Sequence, residues 1–524
     1  MSGFVRQASI LAGASVFVRL LGFAYRLPLT DLIGDEGNAY YITAYTVYTF
    51  ALVLSSGTMV AAISRLTSER IAKGQYRNAH RLFKTAMGLV MSMGLVAGLI
   101  MFFGADLISQ RIFNMPEVAH SVRALTPAVF FASILAVFRG YFQGMKTSVP
   151  TALSQVIEQI FKVAFSVWLA FLFLDAAFVE YAAAGAALGT AISLLPAIGV
   201  VLWLYSLISK DLRKRAEDDL RRDYETRSFQ VASILRTAFP MIIGVGLVSL
   251  GNFLDISMAT SRLDGAFSED EIRVLVGQFN GKFILLTTLP VSLSMALSAA
   301  VIPEITSSRV TFDDDAVRQK TNMAMRLSMI ISIPAAVGLS VLADPIVALL
   351  FPAHPEGGWL LRYGAVSIVL LAMVQILTGV LQGIGHVGIP VIGMFFGVAA
   401  KIPVNYFLMA IPSINILGAV ISTIVCFAVA GLLNLFFLYR FTGILPQVGS
   451  MFVKPLVASA GMGFICFGIY YLAALHASNS VATIAALLSG GIAYLILMVL
   501  IRGFKPRDVA ALPLPRGIRR LLGS

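Results

Sequence analysis

Charge is what this sequence has little of. Asp, Glu, Lys and Arg together make up 13% of the 524 residues, while hydrophobic residues reach 58%. Soluble domains are about one quarter charged, so a water-soluble globular fold is excluded and most of the chain must sit in lipid. Cysteine is almost missing: Cys426 and Cys466 both fall inside apolar runs, which rules out a disulfide framework and a thiolate metal site. Alternating apolar and polar residues are also lacking, so the apolar runs are not strands of a membrane barrel. No HExxH, GxSxG or Cys/His metal spacing occurs. Gly144-Met145-Lys146-Thr147-Ser148 has the composition of a phosphate loop, but Met145 separates Gly from Lys and the upstream glycine spacing is wrong. The chain is therefore expected to be no enzyme, to carry no nucleotide-binding motif, and to use no cofactor or metal.

What is present is a succession of apolar runs, each long enough to cross a bilayer, for which about 20 residues are needed. They fall at about 8–30, 39–63, 83–104, 122–143, 151–174, 181–207, 234–258, 279–302, 323–351, 359–384, 389–411, 417–439, 453–475 and 482–502. The expected fold class is all-α, a polytopic membrane protein of about 14 helices. The first run follows Arg6 but is too long for a signal peptide, carries Arg19 and Arg26, and lacks a small-residue cleavage site, so it is expected to be retained. Basic residues concentrate in alternate connections: Arg65 to Lys84, Lys210 to Arg236, Arg309 to Arg326 and the tail from Arg502. The intervening connections hold only Arg111, Arg123, Arg262, Arg273 and Arg362. By the positive-inside rule both termini are cytoplasmic. The formal net charge of +12 is then mainly a topology signal, and no nucleic-acid partner is expected.

An internal repeat organises the runs. Gly140, Gln143, Gly144 and Lys162 recur 239 residues later as Gly379, Gln382, Gly383 and Lys401, and Thr67-Ser68 recurs as Thr306-Ser307. A shorter offset pairs Gly185-Ala186 and Thr190 with Gly418-Ala419 and Thr423. Each copy holds six spans, an even number, so the copies share one orientation and should be related by an axis along the membrane normal. The expected layout is an N-lobe at 1–207, a cytoplasmic linker at 208–233, a C-lobe at 234–439, two C-terminal helices within 440–502 and a basic tail at 503–524.

Six cations fall inside the runs: Arg19, Arg26, Arg139, Lys162, Lys282 and Lys401. Each would cost roughly 2.5–3.5 kcal/mol at the bilayer centre, so they must face a cavity, a partner or an interface. Snorkelling to the interface accounts for Arg139 and Lys282 near span ends, but not for the central Arg19, Lys162 and Lys401. Ser15, Arg19, Gly22 and Arg26 draw one polar stripe along the first helix, and Gln155, Glu158, Gln159 and Lys162 draw another along the fifth. Glu158 and Lys162 stand in the favourable order for an intrahelical ion pair, the structural alternative for that stripe. Lys401 with Asn405, and Gln375, Thr378 and Gln382, repeat the pattern in the second copy. Faces of this kind converging from both copies would line an aqueous cationic chamber, whose expected guest is a polar anion. Tyr41, Tyr45 and Tyr48 share a helix face; Tyr45 and Tyr48 are candidates for stacking on sugars, against an interfacial aromatic belt. Asp255 and Asn252 are candidates for a coupling cation, against a helix–helix hydrogen bond.

The stretch Val18-Arg19-Leu20-Leu21-Gly22-Phe23-Ala24-Tyr25-Arg26 resembles the first-helix signature of the MurJ lipid II flippases. Arg139-Gly140-Tyr141-Phe142-Gln143-Gly144, followed by Pro150-Thr151-Ala152-Leu153-Ser154-Gln155-Val156-Ile157-Glu158-Gln159, is similar to SpoVB-type polysaccharide exporters of the same MOP superfamily. The resemblance runs through the whole chain. It implies two six-helix lobes around a central cavity, a groove for a polyprenyl tail formed by the last two helices, and an undecaprenyl-diphosphate-linked saccharide, with lipid II first, moved from the inner to the outer leaflet by alternating access. Family arginines of the first helix correspond to Arg19 and, shifted by one residue, to Arg26. The chain departs from MurJ at the second helix, where Leu54-Ser55-Ser56-Gly57 stands in place of a cavity arginine, and only Asp35 or Glu36 matches the acid after the first helix. The implied location is the bacterial cell membrane, with the bilayer and cell-wall synthesis enzymes as partners. The alternatives are an exporter of another polyprenyl-linked unit, a MATE-type cation-coupled drug antiporter, a membrane glycosyltransferase or polymerase, and a scaffold for cell-wall enzymes.

Overall fold

A computed structural model of the chain describes residues 3–174, 178–217, 225–310, 313–444, 447 and 449–503. The basic tail at 504–524, and the loop charges Asp218, Asp219, Asp223, Arg221 and Arg222, lie outside the described residues. The described chain is all-α, without a strand. The first helix, α1, spans Gly3–Ala24. Thirteen further stretches are long and apolar enough to cross a membrane: α2 Arg26–Ala72, α3 Tyr76–Phe103, α4 Val118–Gly144, α5 Val149–Leu172, α6 Val179–Ser209, α7 Arg227–Arg262, α8 Glu269–Ser298, α9 Asp314–Val341, α10 Val366–Gly383, α11 Ile389–Leu408, α12 Leu417–Thr442, α13 Gly449–Ala474 and α14 Asn479–Leu500. With α1 they correspond one for one to the expected runs.

The first two helices meet earlier than the hydropathy suggests. They join at Tyr25, and Pro28 lies in the first turn of α2, where its missing N–H is not needed. Tyr25 keeps helical angles and donates its N–H to Leu21 O, so the chain runs on there without a break. A true break follows at Gly34, whose φ of 69° is in the left-handed region open to glycine. Farther along, α2 carries a π-helical turn at Val53–Gly57.

Large apolar side chains remain exposed on α3, α13 and α14, among them Phe103, Phe464, Leu472, Leu488 and Leu500. Such continuous apolar surface is stable only against lipid.

The chain packs as two compact units, Met1–Gly277 and Gln278–Ser524. Within the first, α4 crosses the end of α2 through glycines. A Cβ on Gly140 would lie 2.9 Å from Val60 O, and one on Gly144 would lie 2.8 Å from Ser64 O. Within the second, a Cβ on Gly379 would lie 2.9 Å from Ser298 O, and one on Gly383 would lie 3.2 Å from Ile302 O on the helical continuation of α8 to Val310. The repeated Gly-x-x-x-Gly thus makes the same small-residue crossing in each unit, the packing that lets membrane helices approach closely. The first unit also includes α7, which the repeat assigns to the second copy. Here Phe253 packs between the rings of Phe50 and Phe113, and Ser257 Oγ donates to Ile112 O at 2.9 Å.

Candidate functional site

Close helix packing builds the site in the first unit. Gly185 and Gly189 bring α6 against the α5 backbone at Leu169 and Ser166. This puts the hydroxyls of Ser166 and Thr190 within 3.5 Å of each other, and Ser166 donates to Ala186 O at 2.9 Å. From Thr190 a chain of hydroxyls runs on to Tyr41 at 3.3 Å and from Tyr41 to Tyr25 at 3.0 Å. Lys162 on α5 reaches into this group. It is buried, donates to the Tyr45 hydroxyl at 3.3 Å, and lies 4.4 Å from the Tyr45 ring centroid and 5.6 Å from that of Tyr25. Tyr41 stacks on Tyr45 at 5.9 Å, and Tyr45 contacts Tyr48 at 5.4 Å. A buried ammonium needs partners, and the phenol oxygens and ring faces provide them without cancelling its charge.

The same face carries more cations. Arg26, half-buried at the start of α2, lies within electrostatic reach of the Tyr25, Tyr41 and Tyr45 phenols. Arg139 donates from Nη2 to Glu158 Oε2 at 2.7 Å and from Nε to Ser154 Oγ at 2.9 Å. Glu158 therefore pairs across helices with Arg139, not along its own helix with Lys162, and Arg139 does not snorkel. Gln159 comes close to α1, its Nε2 3.4 Å from where a Cβ on Gly22 would stand. Gln155 Oε1 and Gln159 Nε2 are buried with no hydrogen-bond partner, as expected of groups that wait for water or a ligand. Arg19 is exposed on α1, one turn before Gly22.

The second unit repeats the lysine but not the tyrosines. Lys401 is buried on α11 and donates to Thr423 Oγ1 at 3.2 Å, with Asn405 fully buried one turn on. Gln382 is half-buried near the end of α10. A groove of about 370 Å³ runs between α9, α10 and the start of α13, lined by Ile333, Ala336, Val337, Val366, Phe452 and Leu456. Asp255 is buried while Asn252 is exposed, so the two side chains do not share one environment.

Two features escaped sequence reasoning. Lys282 is fully buried, and its ammonium donates to His354 O at 2.8 Å and Glu356 O at 2.9 Å, so it fastens the loop after α9 and does not snorkel. Arg273, at the start of α8, gathers Glu117 at 2.7 Å, Asp270 at 3.0 Å, Glu269 at 3.1 Å and Glu36 at 3.5 Å, over the ring of Tyr40. Tyr25 was legible only as part of the first-helix motif.

The fold and the site define a multi-pass membrane protein with a buried, tyrosine-lined cationic face within its spans. A family model described as polysaccharide biosynthesis protein matches residues 4–309, and the chain belongs to that family. It is 27% identical over 489 residues to the lipid II flippase MurJ of Bacillus subtilis (strain 168), covering 88% of this chain and 87% of the relative. It is 25% identical over 518 residues to stage V sporulation protein B of the same organism, covering 98% of each. Among solved structures, the lipid II flippase MurJ in an inward closed conformation matches with a TM-score of 0.69 at 16% identity, over 95% of this chain and 99% of that one. An inward-facing multidrug resistance MATE family transporter of the MOP superfamily matches at 0.65 and 16%, over 82% and 98%. The fold is that of the MOP superfamily.

Proposed function

We propose that this protein is a flippase that carries an undecaprenyl-diphosphate-linked saccharide, with lipid II as its leading cargo, from the inner to the outer leaflet by alternating access. The observation that carries this reading is Lys162, a buried ammonium held by phenols instead of carboxylates. With Arg26 and Arg139 beside it, the face keeps net positive charge for an anionic guest. Guanidinium groups suit a diphosphate because they present paired donors and stay ionised. Arg19 and Arg26 are assigned to the diphosphate, and Gln155, Gln159, Lys162 and Glu158 to its surroundings. Tyr45 and Tyr48 are assigned to sugar faces. In the second unit Gln382, Lys401 and Asn405 are assigned to sugar or peptide groups; in the first, the buried Asp255 is assigned to a coupling cation. The groove beside α13, lined mainly by apolar side chains, is assigned to a short stretch of the polyprenyl tail. Both termini are placed in the cytoplasm of a bacterial cell, and energy is drawn from an ion gradient or the membrane potential. The copies on either side of the linker are assigned to the two lobes that alternate.

A second reading, export of another polyprenyl-linked unit, is favoured by the family match, whose description names polysaccharide biosynthesis and no particular cargo. The test is leaflet-resolved accessibility of lipid II in cells depleted of the protein, rescued with wild type or Arg19→Ala. Loss of exofacial lipid II that wild type restores and the variant does not is the expected result. Unchanged lipid II would move the cargo to another polyprenyl-linked glycan, and full rescue by the variant would remove Arg19 from the site.

A further inference from the structure

Any flippase of this kind works in a bilayer rich in anionic phospholipids, whose phosphodiester carries one negative charge. An open cationic face would fill with them. The Arg139–Glu158 pair stands where that problem would be met. Its side chains are 14% and 29% exposed, so it is sheltered but not sealed. The Arg139 guanidinium is already aimed, because Ser154 Oγ accepts from Nε at 2.9 Å while Glu158 Oε2 accepts from Nη2 at 2.7 Å.

The fold does not require this pair. At the repeat offset of 239 residues the equivalent positions are Thr378 and Gly397, while the lysine is kept as Lys401. The glycine crossing of α4 with α2 recurs in the second unit, where Thr378 stands in place of Arg139 beside it. A carboxylate in mid-span is costly to insert, and a sheltered ion pair is weak support for stability. Glu158 also has a second cation one helical turn along, since Lys162 lies at i+4, so leaving Arg139 would not strand its charge.

The geometry points to Glu158 as a resident competing anion, which occupies Arg139 in the empty protein and yields only to a guest carrying more than one negative charge. A doubly charged diphosphate displaces the carboxylate, which turns toward Lys162. A singly charged phosphodiester cannot, and is excluded. No proton or covalent step is needed. This inference rests on the diphosphate-lipid reading above and names the residue that sets its selectivity.

The experiment uses full-length protein in nanodiscs of phosphatidylcholine alone or mixed with phosphatidylglycerol, with undecaprenyl diphosphate as the probe. Wild type is expected to bind the probe equally in both discs. Glu158→Gln is expected to bind more tightly than wild type in phosphatidylcholine and to lose about tenfold in affinity when phosphatidylglycerol is present. Glu158→Asp, which keeps the charge but shortens its reach to Arg139, should fall between them and serves if the glutamine variant does not fold. Equal insensitivity of the variants and wild type to phosphatidylglycerol would overturn the inference and leave the functional reading standing, as would a wild type that phosphatidylglycerol already inhibits. No binding by wild type in either disc would overturn the functional reading itself, and this inference with it.

Discussion

Replacing Lys162 by Met separates function from folding. The substitution keeps the length of the side chain and removes its charge. The fold loses a charged hydrogen bond to Tyr45, about 1.5–3 kcal/mol, and the cation–π contacts at 4.4 and 5.6 Å, about 1–2 kcal/mol. Against this, the variant no longer buries an ammonium, which costs several kcal/mol of desolvation. These terms nearly cancel, so the melting temperature of the purified protein should move by only a few degrees. A guest phosphate is affected differently. A unit charge about 4 Å from the ammonium interacts by roughly 4 kcal/mol at an effective dielectric of about 20, and water in the site reduces this to about 1–3 kcal/mol. The variant should therefore lose about 5- to 150-fold in transport. The assay is exofacial labelling of lipid II in depleted cells expressing the variant, beside a thermal unfolding curve in detergent. Wild-type labelling by a folded Lys162→Met protein would refute the assignment of this ammonium to the cargo.

Lys282→Met should behave in the opposite way. It removes two hydrogen bonds from an ammonium, to His354 O and Glu356 O, at about 1.5–3 kcal/mol each, which outweighs the several kcal/mol gained by burying no charge, so a melting curve should show net destabilisation. Gly144→Ala forces a methyl against Ser64 O and Thr67, and should cost about 1–3 kcal/mol by the same measurement, whereas Gly88→Ala enters open space and should not. Arg273→Ala leaves Glu36, Glu117, Glu269 and Asp270 facing one another without their shared cation. Its melting temperature should fall and partly recover when salt screens the acids. For topology, an impermeant maleimide on intact cells should label Ser268→Cys and spare Asp315→Cys; the buried native thiols Cys426 and Cys466 should stay silent. The reverse pattern would place the termini outside.

The membrane class, the fourteen runs and the repeat followed from the sequence because they depend on quantities additive along the chain. Hydropathy summed over 20 residues decides whether a helix enters lipid, and a shared offset of 239 residues exposes duplication whatever the fold does. Arg26, Lys162 and Lys401 stood out for the same reason: a charge inside an apolar run is expensive wherever it points. Their partners did not stand out, because a partner is chosen by distance across helices. Glu158 has a lysine four residues away in sequence, yet the crossing of α4 over α5 offers it a guanidinium at 2.7 Å. Lys282 sits near the end of its run, where snorkelling is the cheap solution, yet the loop after α9 folds over it and supplies two carbonyls. Tyr25 becomes a wall of the site only because the fold brings its hydroxyl within 3.0 Å of that of Tyr41. The sequence by itself determined that this chain lives in the membrane and carries buried positive charge. The tertiary structure alone decided which phenols, carbonyls and carboxylate each charge meets, since those contacts join residues from 19 to 117 positions apart.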